Sequence, residues 1–325
     1  MRLFGGLLSL AVVGVSIGAA QEKATDEKEV GTATKKLAPP SAEEQQKAKK
    51  QYDELMQAKQ KSPKMVDRRD VAAELYNIAS ESTQPAIKLL FLRQSAEVAA
   101  GYDNALAHKA CDELLRIYEG PTSDYVAPAL NITAIKSITP TDAPIAYGLL
   151  TRTLDIDIAA EEFDAAAKHI RNMATLYRFF GDPAQVRQQP MILQKSIDDA
   201  KQTKEKAAAA ETVLKTRPND PQANLTVGQY LCLYRGQWKA GLPRLAKGAD
   251  AKLKTAATKE LASAEPVAVA DAWYDLLPTL ELHAKRMTAA HALELYAEAL
   301  PTTEGADKAR IGNRIEDVTR FINGR

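Results

Sequence analysis

The stretch Arg217–Leu253, RPNDPQANLTVGQYLCLYRGQWKAGLPRLAKGADAKL, constrains the fold more than any other part of the chain. Pro218 and the Asn219-Asp220-Pro221 run stop whatever precedes them, and Asp220 is placed to cap a new helix with Pro221 in its first turn. Small residues then recur where two helices would touch: Gly228 in a first helix, Gly236 at a turn, Gly241 and Gly248 in a second. Leu225, Leu231, Trp238 and Leu245 are the bulky partners. A residue without a side chain lets a neighbouring backbone come close, so this spacing predicts a tight helical hairpin whose glycines are packing positions.

The remainder reads as the same class of structure. Alanine is the commonest residue, and only 16 of the 325 positions are glycine. Alanine is the strongest helix former, and the apolar residues repeat at three and four rather than at two, so the expected fold class is all-α. Phe163, Ala166, Ala167, Ile170, Met173, Ala174 and Tyr177 give the clearest amphipathic helix. Ile87, Leu90, Phe91 and Val98, then Ala107, Ala110, Cys111 and Leu114, mark two more helices with a short turn at Gly101. Short turns make consecutive helices antiparallel neighbours. The expected architecture is an antiparallel helix-pair array, an α-solenoid, either continuous or in two lobes joined by a long helix.

Punctuation divides the chain further. Residues 1–20 read as a signal peptide: Met1-Arg2 is positive, Leu3 to Ile17 carries no charge, and Gly18-Ala19-Ala20 offers small residues for cleavage. The apolar run is short and glycine-rich for a membrane span, and an uncleaved N-terminal anchor is the rival reading. Residues 21–40, charged and ending in Pro39-Pro40, read as a disordered tether, and 41–62 as an N-terminal helix opened by the capping-box spacing of Ser41 and Glu44. A helical-repeat lobe over 63–183, a long connecting helix over 184–216 and a C-terminal module over 217–325 follow. No later stretch approaches 18 apolar residues, so the expectation is an exported chain, periplasmic or secreted, without a membrane span after signal removal.

Lys and Arg number 43 against 42 Asp and Glu, and losing Arg2 with the leader makes the count even. Such a balance gives nucleic acid no electrostatic footing. Cys111 and Cys232 each fall in an apolar stripe and read as buried thiols rather than a bridge. His283 and His291 read as surface or boundary residues with a helix break between them, and His108 and His169 stand next to lysines, an arrangement that disfavours a metal. The acidic pairs Asp155/Asp157, Glu161/Glu162 and Asp198/Asp199 read as solvated positions on helices, since adjacent carboxylates on a helix point in different directions. Asn131 and Asn224 match a glycosylation sequon to which no weight attaches. Tyr230, Tyr234, Trp238, Trp273 and Tyr274 read as packing between alanine-rich helices before they read as partner anchors. There is no GxSxG elbow and no phosphate-binding glycine loop. The expectation is therefore no catalytic, metal or cofactor-binding residue.

From Leu214 to Val318 the chain resembles the tetratricopeptide-like C-terminal module found in many exported proteins of planctomycete-type bacteria. The runs that carry the resemblance include Asn219-Asp220-Pro221-Gln222-Ala223-Asn224-Leu225, Gly236-Gln237-Trp238-Lys239-Ala240-Gly241-Leu242-Pro243, Asp271-Ala272-Trp273-Tyr274-Asp275-Leu276 and Tyr296-Ala297-Glu298-Ala299-Leu300-Pro301. The chain departs from the family at Tyr274, where a second tryptophan is usual, and at Leu276-Leu277-Pro278-Thr279. The resemblance implies an exported helical-repeat protein and transfers no activity. Taken with the missing chemical motifs, it sets the functional expectation: a non-enzymatic interaction scaffold of the cell envelope whose partner is another envelope or secreted protein. An envelope hydrolase or carbohydrate-active protein and a peptide- or glycan-binding solenoid are the alternatives.

Overall fold

The computed structural model describes residues 36–60, 67–118, 122, 125–126, 128–130, 138–180 and 183–322, without the side chains of Gln60 and of residues 183–187. The expected leader, residues 21–35 of the tether and Asn131 lie outside these. The helices are α1 (Ala42–Gln60), α2 (Arg68–Glu81), α3 (Pro85–Ala99), α4 (Asn104–Ile117), α5 (Ala143–Ala159), α6 (Phe163–Leu176) and α7 (Pro183–Thr216). They continue with α8 (Pro221–Gln229), α9 (Trp238–Leu245), α10 (Ala251–Leu261), α11 (Pro266–Tyr274), α12 (Leu282–Ala299) and α13 (Gly305–Ile322). The fold is all-α, built of adjacent helix pairs, and the described residues contain no β-strand. None of their helices is long and apolar enough to cross a membrane.

Local chemistry sets the helix ends. Asp67, Asp103, Asp220 and Asp250 each accept a backbone N–H from the first turn that follows, satisfying donors with no partner inside the helix. Ser41 and Glu44 form the reciprocal capping box, with Ser41 N donating to Glu44 Oε2 at 2.8 Å. Two expectations are corrected. Residues 36–40, read as part of a disordered tether, lie against the end of α4, where Leu37 N donates to Ile117 O at 2.8 Å. The break expected between His283 and His291 is absent: α12 runs unbroken from Leu282, and the interruption falls earlier, at a short 3-10 turn over Leu277–Thr279. Pro278 supplies the physical reason, since it cannot donate the backbone N–H that a continuing helix needs.

Among the described residues two large apolar cores, with smaller clusters beside them, form inside one compact unit. The first gathers α1 to α6 around Leu75, Leu92, Leu114, Leu150 and Met173, with Leu193, Ile197 and Ala200 from the first half of α7. The second gathers α9 to α13 around Trp273, Tyr296, Leu245 and Ile311. Farther along α7, Ala210 and Leu214 pack on Ala223 and Val227 of α8, so this helix passes from one core toward the other.

The hairpin packs as the glycine spacing requires. A Cβ on Gly228 would stand 2.8 Å from Leu245, and one on Gly248 would meet Leu225 at 3.3 Å. At Gly241 it would overlap Cys232 Sγ, and Gly236 turns the chain with φ at +61°. Between the two helices Tyr230–Tyr234 widens into a π-helical turn, with Arg235 N donating to Tyr230 O at 3.0 Å. Both cysteines are buried free thiols, and burial pushes their ionisation well above the ordinary thiol range.

Candidate functional site

Residues 152, 155, 156 and 159 of α5 share one helical face, as do 287, 290, 291 and 294 of α12. The two faces oppose each other across a cleft of about 590 Å3. Arg152, Asp155, Ile156 and Ala159 line one wall, and Arg286, Met287, Ala290, His291 and Glu294 the other. Arg235 and Trp238 close one side, and Ile322 reaches in from the end of α13. Ile156 of the α5 wall packs against the first core and Trp238 against the second.

A buried polar cluster joins the walls. Arg286 donates to Asp155 through Nε at 2.5 Å and Nη2 at 2.9 Å, and His283 Nδ1 lies 2.9 Å from the same carboxylate. His283 Nε2 is 3.2 Å from Tyr234 O in the π-helical turn. Asp155 is 8% exposed, Arg286 6% and His283 1%. Burial alone would raise the Asp155 pKa, but the Arg286 charge and the His283 contact outweigh it and hold the carboxyl below its usual range.

A second hub sits one turn along, at the corner between α5 and α6. Glu161 has φ at +66°, a region that a residue with a side chain seldom occupies. Its carboxylate accepts from Lys204 of α7, from the Tyr230 hydroxyl and from Arg235, which also donates through Nε to Ala159 O at 2.6 Å. Burial opposes ionisation of Glu161, but these donors prevail and its pKa is lowered. At the other end of the α5 wall Arg152 is held by Asp112 of α4.

The aromatic side of the cleft is equally ordered. The rings of Trp238 and His291 stack with centroids 3.7 Å apart and planes 8° from parallel, while Trp273 meets both edge-on. Glu260 of α10 accepts from Trp273 Nε1 at 2.6 Å and contacts His291 Nε2 at 3.0 Å. Trp273 is fully buried, as the packing reading expects, whereas Trp238 is half-buried and lines the cleft.

These placements overturn two readings from the sequence. All four histidines are buried, and three of them contact a carboxylate: His169 meets Asp157, His283 meets Asp155 and His291 meets Glu260. Asp155 and Asp157 are buried rather than solvated; Asp157 accepts both the backbone N–H and the hydroxyl of Thr122. The partner of Asp155 lies 131 positions along the chain, beyond any local pattern. Asp198, by contrast, is exposed on α7 as expected, and the second sequon is closed because the Asn224 amide is buried, donating to Pro218 O and Asp220 O. Among the described residues no three His, Cys, Asp or Glu side chains converge as metal ligands would. Comparison with known protein families, with curated protein sequences and with solved structures gives no significant match for the chain.

Proposed function

We propose that this chain is an exported, non-enzymatic interaction scaffold of the cell envelope, built as a tetratricopeptide-like array, and that the cleft between α5 and α12 receives a segment of its protein partner. The close packing of Gly228 on Leu245 and of Gly241 on Cys232 supports the repeat reading, and the apolar run before Gln21 supports export. The observation that carries the binding reading is the cleft itself. Apolar side chains line it, and its three arginines are held by ion pairs to Asp155, Glu161 and Asp112. Preorganised concave surfaces of this size are where proteins hold ligands. Asp155 is unsuited to general-base work, because Arg286 and His283 already engage both of its oxygens.

The test uses the full chain as bait in envelope extracts beside a Met287→Asp variant, which places a charge at the half-buried centre of the α12 wall. The expected result is a defined set of partners enriched by the unaltered chain and lost with the variant, both proteins melting alike. Equal capture by both proteins would remove the cleft from the account, and substrate turnover by the purified chain would remove the scaffold reading.

A further inference from the structure

Three arginines from three elements line the one cleft: Arg152 from α5, Arg235 from the turn before α9 and Arg286 from α12. Each is pinned by a carboxylate, namely Asp112, Glu161 and Asp155. Asp112 and Glu161 stand outside the cleft lining, whereas Asp155 lines it beside Arg286, and Glu294 and Lys36 line it as well. At Arg152 and Arg235 the cleft therefore meets the cationic end of the pair. A guanidinium has five N–H donors, and a bidentate carboxylate occupies two. Pinning thus fixes the direction of the group without exhausting it.

Stability alone does not account for this arrangement. A buried ion pair is often no more stabilising than apolar residues of the same volume, and the cleft floor already carries Ile156, Ala159, Met287 and Ala290. Oriented guanidinium groups beside an apolar floor are what recognition of a carboxylate on an apolar body requires, because the planar fork matches the carboxylate's two oxygens.

Resting on the docking reading above, we propose that the cleft selects an acidic segment of the partner, with an apolar side chain seated against Trp238 and Met287 and side-chain carboxylates facing Arg152 and Arg235. The probe is a phage library of random dodecapeptides fused through their C-termini, so that only side-chain carboxylates are offered, selected on the full chain. The best peptides are then made as C-terminal amides and their affinity measured by fluorescence anisotropy.

The selected sequences should join Asp or Glu to a large apolar residue, and added salt should weaken their binding to the unaltered chain. Arg152→Gln with Arg235→Gln should lower affinity by about tenfold, and the corresponding lysine variants should restore part of it. Salt dependence is read on the unaltered protein, so it decides the matter even if the double variant fails to fold. Neutral or basic selected peptides whose binding is lost with Met287→Asp would overturn the acidic assignment and leave the docking reading standing. Failure to select any peptide, or binding indifferent to Met287→Asp, would overturn both.

Discussion

At Gly241 a single added carbon would land on Cys232 Sγ and within 3.0 Å of the Cys232 backbone nitrogen, a rigid neighbour with nowhere to move. Gly241→Ala should therefore destabilise the chain by about 1–3 kcal/mol, the usual range for overpacking. Gly312, inside α13 with nothing within 4 Å of its Cβ position, should respond in the opposite direction, Gly312→Ala gaining about 0.5–1 kcal/mol from the higher helix propensity of alanine. Urea denaturation of the pair checks both signs. His108 presents a different case, since both of its ring nitrogens are buried without a hydrogen-bond partner. Burial pushes its pKa below the usual imidazole value against a smaller pull from Asp142, so the fold favours the neutral ring. The unfolded chain takes up the proton near pH 6.5. The stability tied to His108 is then full above about pH 6.5 and falls as the pH drops below it. His108→Met should flatten that acid-side slope in denaturation curves measured across the range; an unchanged slope would refute the assignment.

Among the helices, α5 and α12 matter most, because their polar contacts join the two cores. Removing the carboxylate with Asp155→Ala would leave Arg286 buried without a counter-charge and His283 Nδ1 without its partner, at an expected cost of about 3–5 kcal/mol. Asp155→Leu combined with Arg286→Met should recover most of that loss, a non-additivity that a double-mutant cycle measures directly. Because the folded Asp155 pKa is lowered, its contribution is present above the ordinary carboxyl range and disappears as the pH falls through the folded value. This element scale is also where the sequence is least legible. The Asp220 cap, the Ser41–Glu44 box and the glycine contacts depend on residues close in the chain or on one hairpin, and were readable. Asp155 looked like a solvated carboxylate because its helix says nothing of Arg286, and the burial of His291 depends on Glu260 from another helix. One sign was available: charges at 152 and 155 interrupt a stripe that Ile156 and Ala159 continue, as Arg286, His291 and Glu294 do on α12. Charge embedded in an apolar helix face marks a site when two such faces oppose each other.

For the molecule as a whole, the relevant property is that one cleft lies between helices that contribute to different cores, held together by Asp155–Arg286 at the base and Glu161–Arg235 at the corner. Proteins with this arrangement offer a partner a surface whose shape is fixed before binding, so less ordering entropy is lost on association. The central claim is that this cleft is the docking surface, and Met287, half-buried on its α12 wall, is the position from which to ask. A photoreactive methionine analogue placed at 287 in the full chain should, on irradiation in envelope extract, give a covalent adduct to a defined protein, while the same group at the exposed Lys206 of α7 should give none. Adducts of equal yield at both positions, or adducts at 206 alone, would contradict the account.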